Sequence, residues 1–380
     1  MATTTWVITH YNGTTYTEIT GRVLSMNLTQ GREKYLDNYA GGAIQLTINN
    51  ASNYAAGIVY GNTILVETEV SGAVRFYTEY WVQEIVYDDY PGGTGLNTAT
   101  ITAVDWISRA GRIQATALFL AQGGTGYQLK QFEASALGPL PSDMPINAAG
   151  LGSSIASAIT YTGTVNNYLN LLQTTERGYV VLRGSTLAFI ARNIVADYVP
   201  GNITLGRTTS ATQVAYQDFE RIQNGSQFIN TATITSSGVA TQTEVNTTSQ
   251  SLYGPAFYSS ETVDYNATQA DGNAAWVVNN FSDPASLRFT CTLTDRAQNQ
   301  TAYDEWQSQN WFDYNRSINF AYTVPGGSPT TVACLIEGVT INVTPDETRW
   351  TLSLSPLQYY QFFTLNSSTL GILNTSRLGW

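Results

Sequence analysis

Alternation is the feature that most constrains this chain. Ile44, Leu46 and Ile48 are spaced by Gln45 and Thr47; Ala99, Ile101 and Ala103 by Thr100 and Thr102. Val339, Ile341 and Val343 alternate in the same way. The run Thr344-Pro345-Asp346-Glu347-Thr348 then turns the chain, and Trp350, Leu352 and Leu354 alternate again. A period of two sends apolar side chains to one face of a strand and polar ones to the other. Bounded by Pro, Gly, Asn and Asp, such segments predict strands and hairpins. Thr, Tyr, Val and Ile suit half-buried pleated surfaces. Pro91-Gly92-Gly93 and Pro325-Gly326-Gly327 are predicted hairpin tips.

Helices are few. Asn166 to Arg177 carries Tyr168, Leu171 and Leu172 on one face, with Asn166 as the expected cap and Gly178 as the expected terminator. Thr268 to Phe281 places Ala270, Ala274, Val277, Val278 and Phe281 on one stripe, and Pro284 bars extension. Thr301 to Phe312 is a weaker candidate.

The chain therefore reads as mainly β with a few helices, a β-rich α+β protein in three regions. Residues 1–110 are strand-rich. Residues 111–200 hold Gly- and Pro-rich loops, a helix and a hairpin (Tyr179–Leu182 with Thr186–Ala191) around Arg183-Gly184-Ser185. Residues 201–380 are strand-rich again, with one or two inserted helices. The recurrence predicts two related barrels flanking an insertion.

Composition removes several chemistries. Only 12% of residues are charged, the net charge is −11, and Lys34 and Lys130 are the only lysines. That balance is a poor match for phosphate backbones. No apolar run is long enough to span a membrane, and the first residues lack the pattern of a signal peptide. His10 is the only histidine and reads as a turn or strand residue, so Ser-His-Asp, Cys-His and His-metal chemistry have almost no raw material. Cys291 and Cys334 lie in apolar strand-like runs and read as buried free thiols, a pairing between adjacent strands being the alternative. No cofactor or metal is expected.

The remaining constellations have plain readings. Gln122-Gly123-Gly124-Thr125-Gly126 lacks the Lys-Ser/Thr of a phosphate loop and reads as a flexible loop. Glu79, Glu84, Asp88 and Asp89 read as solvated acids and not as a glycosidase pair. The aromatic groups Tyr77-Tyr80-Trp81 and Tyr359-Tyr360-Phe362-Phe363 read as core or interface before sugar platform. Asn-x-Ser/Thr triplets such as Asn27-Leu28-Thr29 and Asn342-Val343-Thr344 are expected by chance in a chain so rich in these residues.

Four stretches, in order, resemble the baseplate-hub and minor tail proteins of tailed bacteriophages. The first is Val23-Leu24-Ser25 leading to Gln30-Gly31-Arg32, then Leu36 to Gly42 and the strand Ile44 to Asn50. The second is Ile101-Thr102-Ala103-Val104-Asp105-Trp106. The third is Thr175-Glu176-Arg177-Gly178 followed by Val181 to Arg192. The fourth is Ser251-Leu252-Tyr253-Gly254, the Ala-rich helix through Ala274-Ala275, and Pro284 leading to Leu287–Leu293.

The resemblance implies two tail-tube-like barrels with an inserted helix-plus-hairpin region. It implies a non-enzymatic virion protein assembled in the host cytoplasm: a ring, most simply a homotrimer, at the distal end of a siphophage tail tube. The tube or a distal tail protein would sit above it and a tip or fibre protein below. DNA would pass through its channel without specific binding. The alternatives are a distal tail adaptor ring of sixfold symmetry, a carbohydrate-binding tip or fibre protein and, more remotely, a wall-degrading enzyme. Large subunit contacts suit a chain of low charge rich in Thr, Asn and Tyr. Leu370, Ile372, Leu373 and Trp380, in the segment Leu365 to Trp380, are the expected subunit-contact residues. They form either an arm on a neighbour or a closing strand.

Overall fold

The alternating segments become strands. The computed structural model describes residues 5–70, 73–89, 97–134, 146–149, 152, 154–183, 186–196, 200–223, 228–283, 287–296, 298–308 and 316–360. The first region contributes β1 (Thr5–Tyr11), β2 (Tyr16–Glu18), β3 (Val23–Gly31), β4 (Ala40–Asn49), β5 (Thr63–Val70), β6 (Ala73–Asp88) and β7 (Thr98–Val104). They pair antiparallel in the order β2-β1-β5-β6-β7-β4-β3.

The middle region alternates short strands and helices. These are α1 (Trp106–Ala110), β8 (Gln114–Leu120), β9 (Gly123–Gly124), α2 (Thr125–Ala134), β10 (Ile146–Ala149), β11 (Ile155–Ala156), β12 (Ile159–Thr164), α3 (Val165–Glu176), β13 (Tyr179–Arg183), β14 (Thr186–Ile190) and α4 (Arg192–Ala196). They surround a second core that includes Leu129, Phe132, Tyr168, Leu172, Leu187 and Phe189. The expected hairpin is β13 with β14, its tip lying outside the described residues.

The last region holds β15 (Thr204–Gly206), β16 (Gln213–Ala215), β17 (Asp218–Gln223), β18 (Thr231–Ser236), β19 (Gln242–Val245), α5 (Thr247–Tyr253), β20 (Phe257–Thr262), α6 (Ala267–Phe281), β21 (Leu287–Thr294), α7 (Gln300–Ser308), β22 (Ser317–Tyr322), β23 (Thr330–Val343) and β24 (Thr348–Pro356). Strands β18, β19 and β20 form a separate sheet, and its Ala232 and Ile234 share a core with Ala270, Ala274 and Val277 of α6. The other strands join β1 to β7 in one 14-stranded sheet.

Strand β23 makes that join. One of its edges pairs with β24. The other pairs first with β22, over residues 330–335, and then with β3, over residues 338–343. One apolar row runs through the sheet in register: Val82, Ala103, Ile44, Leu28, Ile341, Trp350 and Leu293. All seven are buried, as a one-sided antiparallel sheet requires. Trp6 of β1 donates its indole N–H to Thr348 Oγ1 of β24 at 3.1 Å, tying the first strand to the last.

Several local expectations need correction. Helix α3 starts one residue early and is capped by Thr164, whose hydroxyl accepts the Asn167 amide; Asn166 is not the cap. Its left-handed terminator is Arg177 at φ 54°, not Gly178. Gly178 serves packing instead: a Cβ there would collide with the Ile190 carbonyl of β14. Helix α6 is where expected, capped by Asn266. The third expected helix is present as α7 (Gln300–Ser308), the remainder of the expected span lying outside the described residues. Helices α1, α2, α4 and α5 had no clear sequence signal. The Pro325-Gly326-Gly327 tip joins β22 to β23 with Gly326 at φ 74°, while Pro91-Gly92-Gly93 lies outside the described residues. Cys291 and Cys334 are both buried and free; they sit on β21 and β23, with β24 between them, so their strands are not adjacent.

Candidate assembly junction and polar sheet face

Where β23 exchanges β22 for β3, the register shifts between Ile336 and Gly338. The Ile336 amide bonds to the Arg316 carbonyl, and the Glu337 carbonyl accepts the Arg32 amide at 2.9 Å. The Glu337 carboxylate turns inward. Its Oε2 accepts Arg32 Nε at 2.8 Å, with the Glu337 side chain fully buried and the Arg32 side chain 8% exposed. Gly31 and Gly338 face each other across this crossing. A Cβ on Gly31 would strike the Glu337 carbonyl and the Gly338 Cα, and one on Gly338 would lie 2.5 Å from the Arg32 carbonyl. Only paired glycines let the two backbones approach this closely.

Arg32 also gathers the middle region. Its guanidinium stands over the rings of Tyr179, Tyr39 and Tyr35, with the carbon at 4.6, 4.8 and 5.0 Å from the ring centres. It donates to Tyr179 Oη at 3.0 Å and to the Asp37 carbonyl at 3.0 Å. A desolvated cation over aromatic faces gains more than an exposed one. Burial pushes the Tyr35 phenol well above its ordinary value. The residues that meet here come from β3 and the loop after it, β13, and β23, so all three regions are tied at one point.

Other buried carboxylates are consumed by structure. Glu176 accepts Thr125 Oγ1 and the Ser154 amide at 2.8 Å each, and the Arg192 amide at 3.1 Å. Asp264 accepts Thr262 Oγ1, Gln269 Nε2 and Asn273 Nδ2 at 2.6, 2.7 and 2.9 Å. Asp105 caps α1 through the Ser108 amide at 3.0 Å and holds the Gly42 amide of β4 at 2.6 Å. Burial, partly offset by these hydrogen bonds, pushes the Asp105 pKa up to about 6. Each of these carboxylates is buried and spends most of its acceptor capacity on donors of its own chain.

The sequence-flagged groups fall as follows. His10 is buried in β1 with Nε2 2.9 Å from Asn62 Oδ1, a strand residue. Glu84, Asp88 and Asp89 are exposed and Glu79 is half-buried. Gln122 to Gly126 is not a free loop: Gly123 and Gly124 pair with Ala156 and Ile155, and Thr125 opens α2. Glu176, not an open space, meets the Thr125 hydroxyl. Tyr80, Trp81 and Tyr359 are buried; the Tyr77 and Tyr360 side chains, and Phe362 and Phe363, lie outside the described residues. So do Leu370, Ile372, Leu373 and Trp380. Among the described residues no three His, Cys, Asp or Glu side chains converge as a metal site, and no helix is long and apolar enough to cross a membrane.

The reverse of the apolar row is a second surface. Glu84, Thr102, Gln45, Asn27, Asn342 and Arg349 stand in register across β6, β7, β4, β3, β23 and β24, exposed or half-buried. The two triplet asparagines meet there, Asn27 Nδ2 donating to Asn342 Oδ1 at 2.9 Å. Beside them Thr29, Thr340, Thr351 and Thr292 form a ladder over β3, β23, β24 and β21. Sequence reasoning found the strands but not this shared face, nor Arg32 with Glu337. The glycines of Gln30-Gly31-Arg32 and Glu337-Gly338 were the only available signal.

This architecture is that of phage tail proteins. The structure of the tail protein from Neisseria meningitidis MC58 superposes with a TM-score of 0.62 at 10% identity, over 92% of this chain and 96% of that one. The 43 kDa tail protein of prophage MuSo2 from Shewanella oneidensis gives 0.57 at 13% identity, over 94% and 98%. Prophage tail protein gp18 from Listeria monocytogenes EGD-e gives 0.51 at 10% identity, over 92% and 94%. No protein-family model matches the sequence, and no curated protein matches it. The resemblance read from four short stretches thus holds for the fold along nearly the whole chain.

Proposed function

We propose that this chain is a structural component of a phage tail, a baseplate-hub or minor tail protein. Its copies close into a ring, most simply a trimer, at the distal end of the tail tube. The first and third regions act as two tube-like barrels and the middle region decorates them. The ring joins the tube or a distal tail protein above to tip or fibre proteins below and leaves a channel for DNA. No bond is made or broken. The observation that carries this reading is the superposition of 92% of the chain on the Neisseria meningitidis tail protein. Buried carboxylates bound to their own chain, and free buried thiols suited to assembly in a reducing cytoplasm, also support it. Within this reading, the segment carrying Leu370, Ile372, Leu373 and Trp380 docks on a neighbour as an arm.

Electron cryomicroscopy of tails containing this chain, with the mass of the purified protein in solution, tests the proposal. The expected result is a closed ring of three copies around an open axis. Six identical copies would select the adaptor ring instead. A monomer at high concentration, with no ring in tails, would overturn both. Truncation before Leu365 is expected to weaken ring formation; intact tails from the truncated chain reject the arm.

A further inference from the structure

We propose that Arg177 is the core of a site for one monatomic anion, chloride in solution, at the place where the three regions of the chain meet. The inference stands on the geometry of a single chain and does not depend on the ring.

Arg177 carries two costs at once. It is not a glycine, yet it ends α3 in the left-handed conformation at φ 54°. It is also a cation that is only 7% exposed. Its Nη1 donates to Tyr258 Oη of β20 at 3.1 Å. The guanidinium carbon lies 5.7 Å from the Tyr258 ring centre and 5.8 Å from that of Trp276 on α6. Nε and Nη2 are buried and have no hydrogen-bond partner, and among the described residues no carboxylate pairs with this guanidinium. Buried donors and buried charge call for an acceptor that answers both.

The adjoining space is a cavity of about 20 Å³ between the C-terminal turn of α3 and the loop after β3, lined by Arg177, Gln173, Tyr35, Arg32, Asn38 and Asp37. That volume suits a single small occupant, one water or one monatomic ion. Charge decides between them. The Tyr35 phenol stands within electrostatic reach of three guanidiniums, those of Arg32, Arg177 and Arg192, and of one carboxylate, Glu337, which already pairs with Arg32. Glu176 and Asp264 act on Arg192, and both accept several of the chain's own donors. Asp37 is exposed at the rim, where its Oδ2 accepts the Lys34 amide. Water would supply an acceptor without charge; an anion supplies both.

The test uses the full chain. Thermal unfolding is followed in about 200 mM sodium chloride and in sodium methanesulfonate of the same ionic strength, whose anion is too large for the cavity. With a dissociation constant of about 20 mM, chloride is expected to raise the folded-to-unfolded ratio about tenfold, and the midpoint with it. Arg177→Gly keeps the left-handed turn without strain and removes the cation, so its midpoint is expected to be equal in the two salts. Equal midpoints for wild type, or the same rise in the variant, overturn the proposal. A second measurement needs no variant. Crystals of wild type grown with sodium bromide are expected to show an anomalous peak in the cavity beside Arg177. A water there, or no occupant, overturns the proposal. A bromide peak in crystals without the rise in solution is an adventitious ion only, and overturns it as well.

Discussion

Arg32 and Glu337 stand 305 positions apart in the chain and meet with Nε 2.8 Å from Oε2, the carboxylate wholly buried. A pair of this kind is costly to assemble and more costly to halve. It sits where one strand edge changes partners, so it fixes the register of β3 against β23, as a slip would strand both charges.

Arg32→Met leaves the Glu337 carboxylate buried without its cation. The expected loss is about 3–5 kcal/mol of folding stability. The double variant Arg32→Met/Glu337→Leu is expected to recover a large part of it. Chemical denaturation of the four proteins of this cycle measures the coupling; additive losses would show that the pair is not the lock.

Gly31→Ala meets the Glu337 carbonyl and must also hold φ at 89°. It is expected to prevent folding or to cost several times more than Gly21→Ala, whose added Cβ has nothing within 4 Å. Expression yield and thermal midpoint compare the two.

Asp105 carries a pH dependence of definite sign. The folded protein holds its proton up to about pH 6, whereas the unfolded chain releases it near 3.8. Between those values the folded state binds more protons, so this group adds stability as the pH falls, by up to roughly 3 kcal/mol. The stability of wild type relative to Asp105→Asn is expected to rise from pH 7 to pH 4. A flat difference would mean that the carboxylate titrates normally.

Asn266→Ala removes the side chain that accepts the Gln269 amide at the start of α6. The expected cost is about 1 kcal/mol, with the fold unchanged. Thermal melting checks it.

Much of the fold was legible because one face of each long strand is buried. Val339 to Val343 and Trp350 to Leu354 alternate in sequence because they alternate between core and surface. Helices α3 and α6 were legible because each has an apolar stripe. Helix α2 was not: it opens in a glycine-rich run, and its buried face includes Gln128 and Thr125, which find partners only in the fold. Arg177 took the terminator role because Gly178 was needed against β14, a contact invisible without the tertiary structure. The junction was hidden for the same reason. Nothing local to Arg32 points to a carboxylate 305 residues later.

The closure of Trp6 onto Thr348 sets an order of events during synthesis. The first strands leave the ribosome long before β23 and β24 exist, and until then the β3 edge that will take β23 has no partner. Until β23 emerges that edge keeps its hydrogen-bonding groups open, and pairing over so long a stretch of sequence is intrinsically slow.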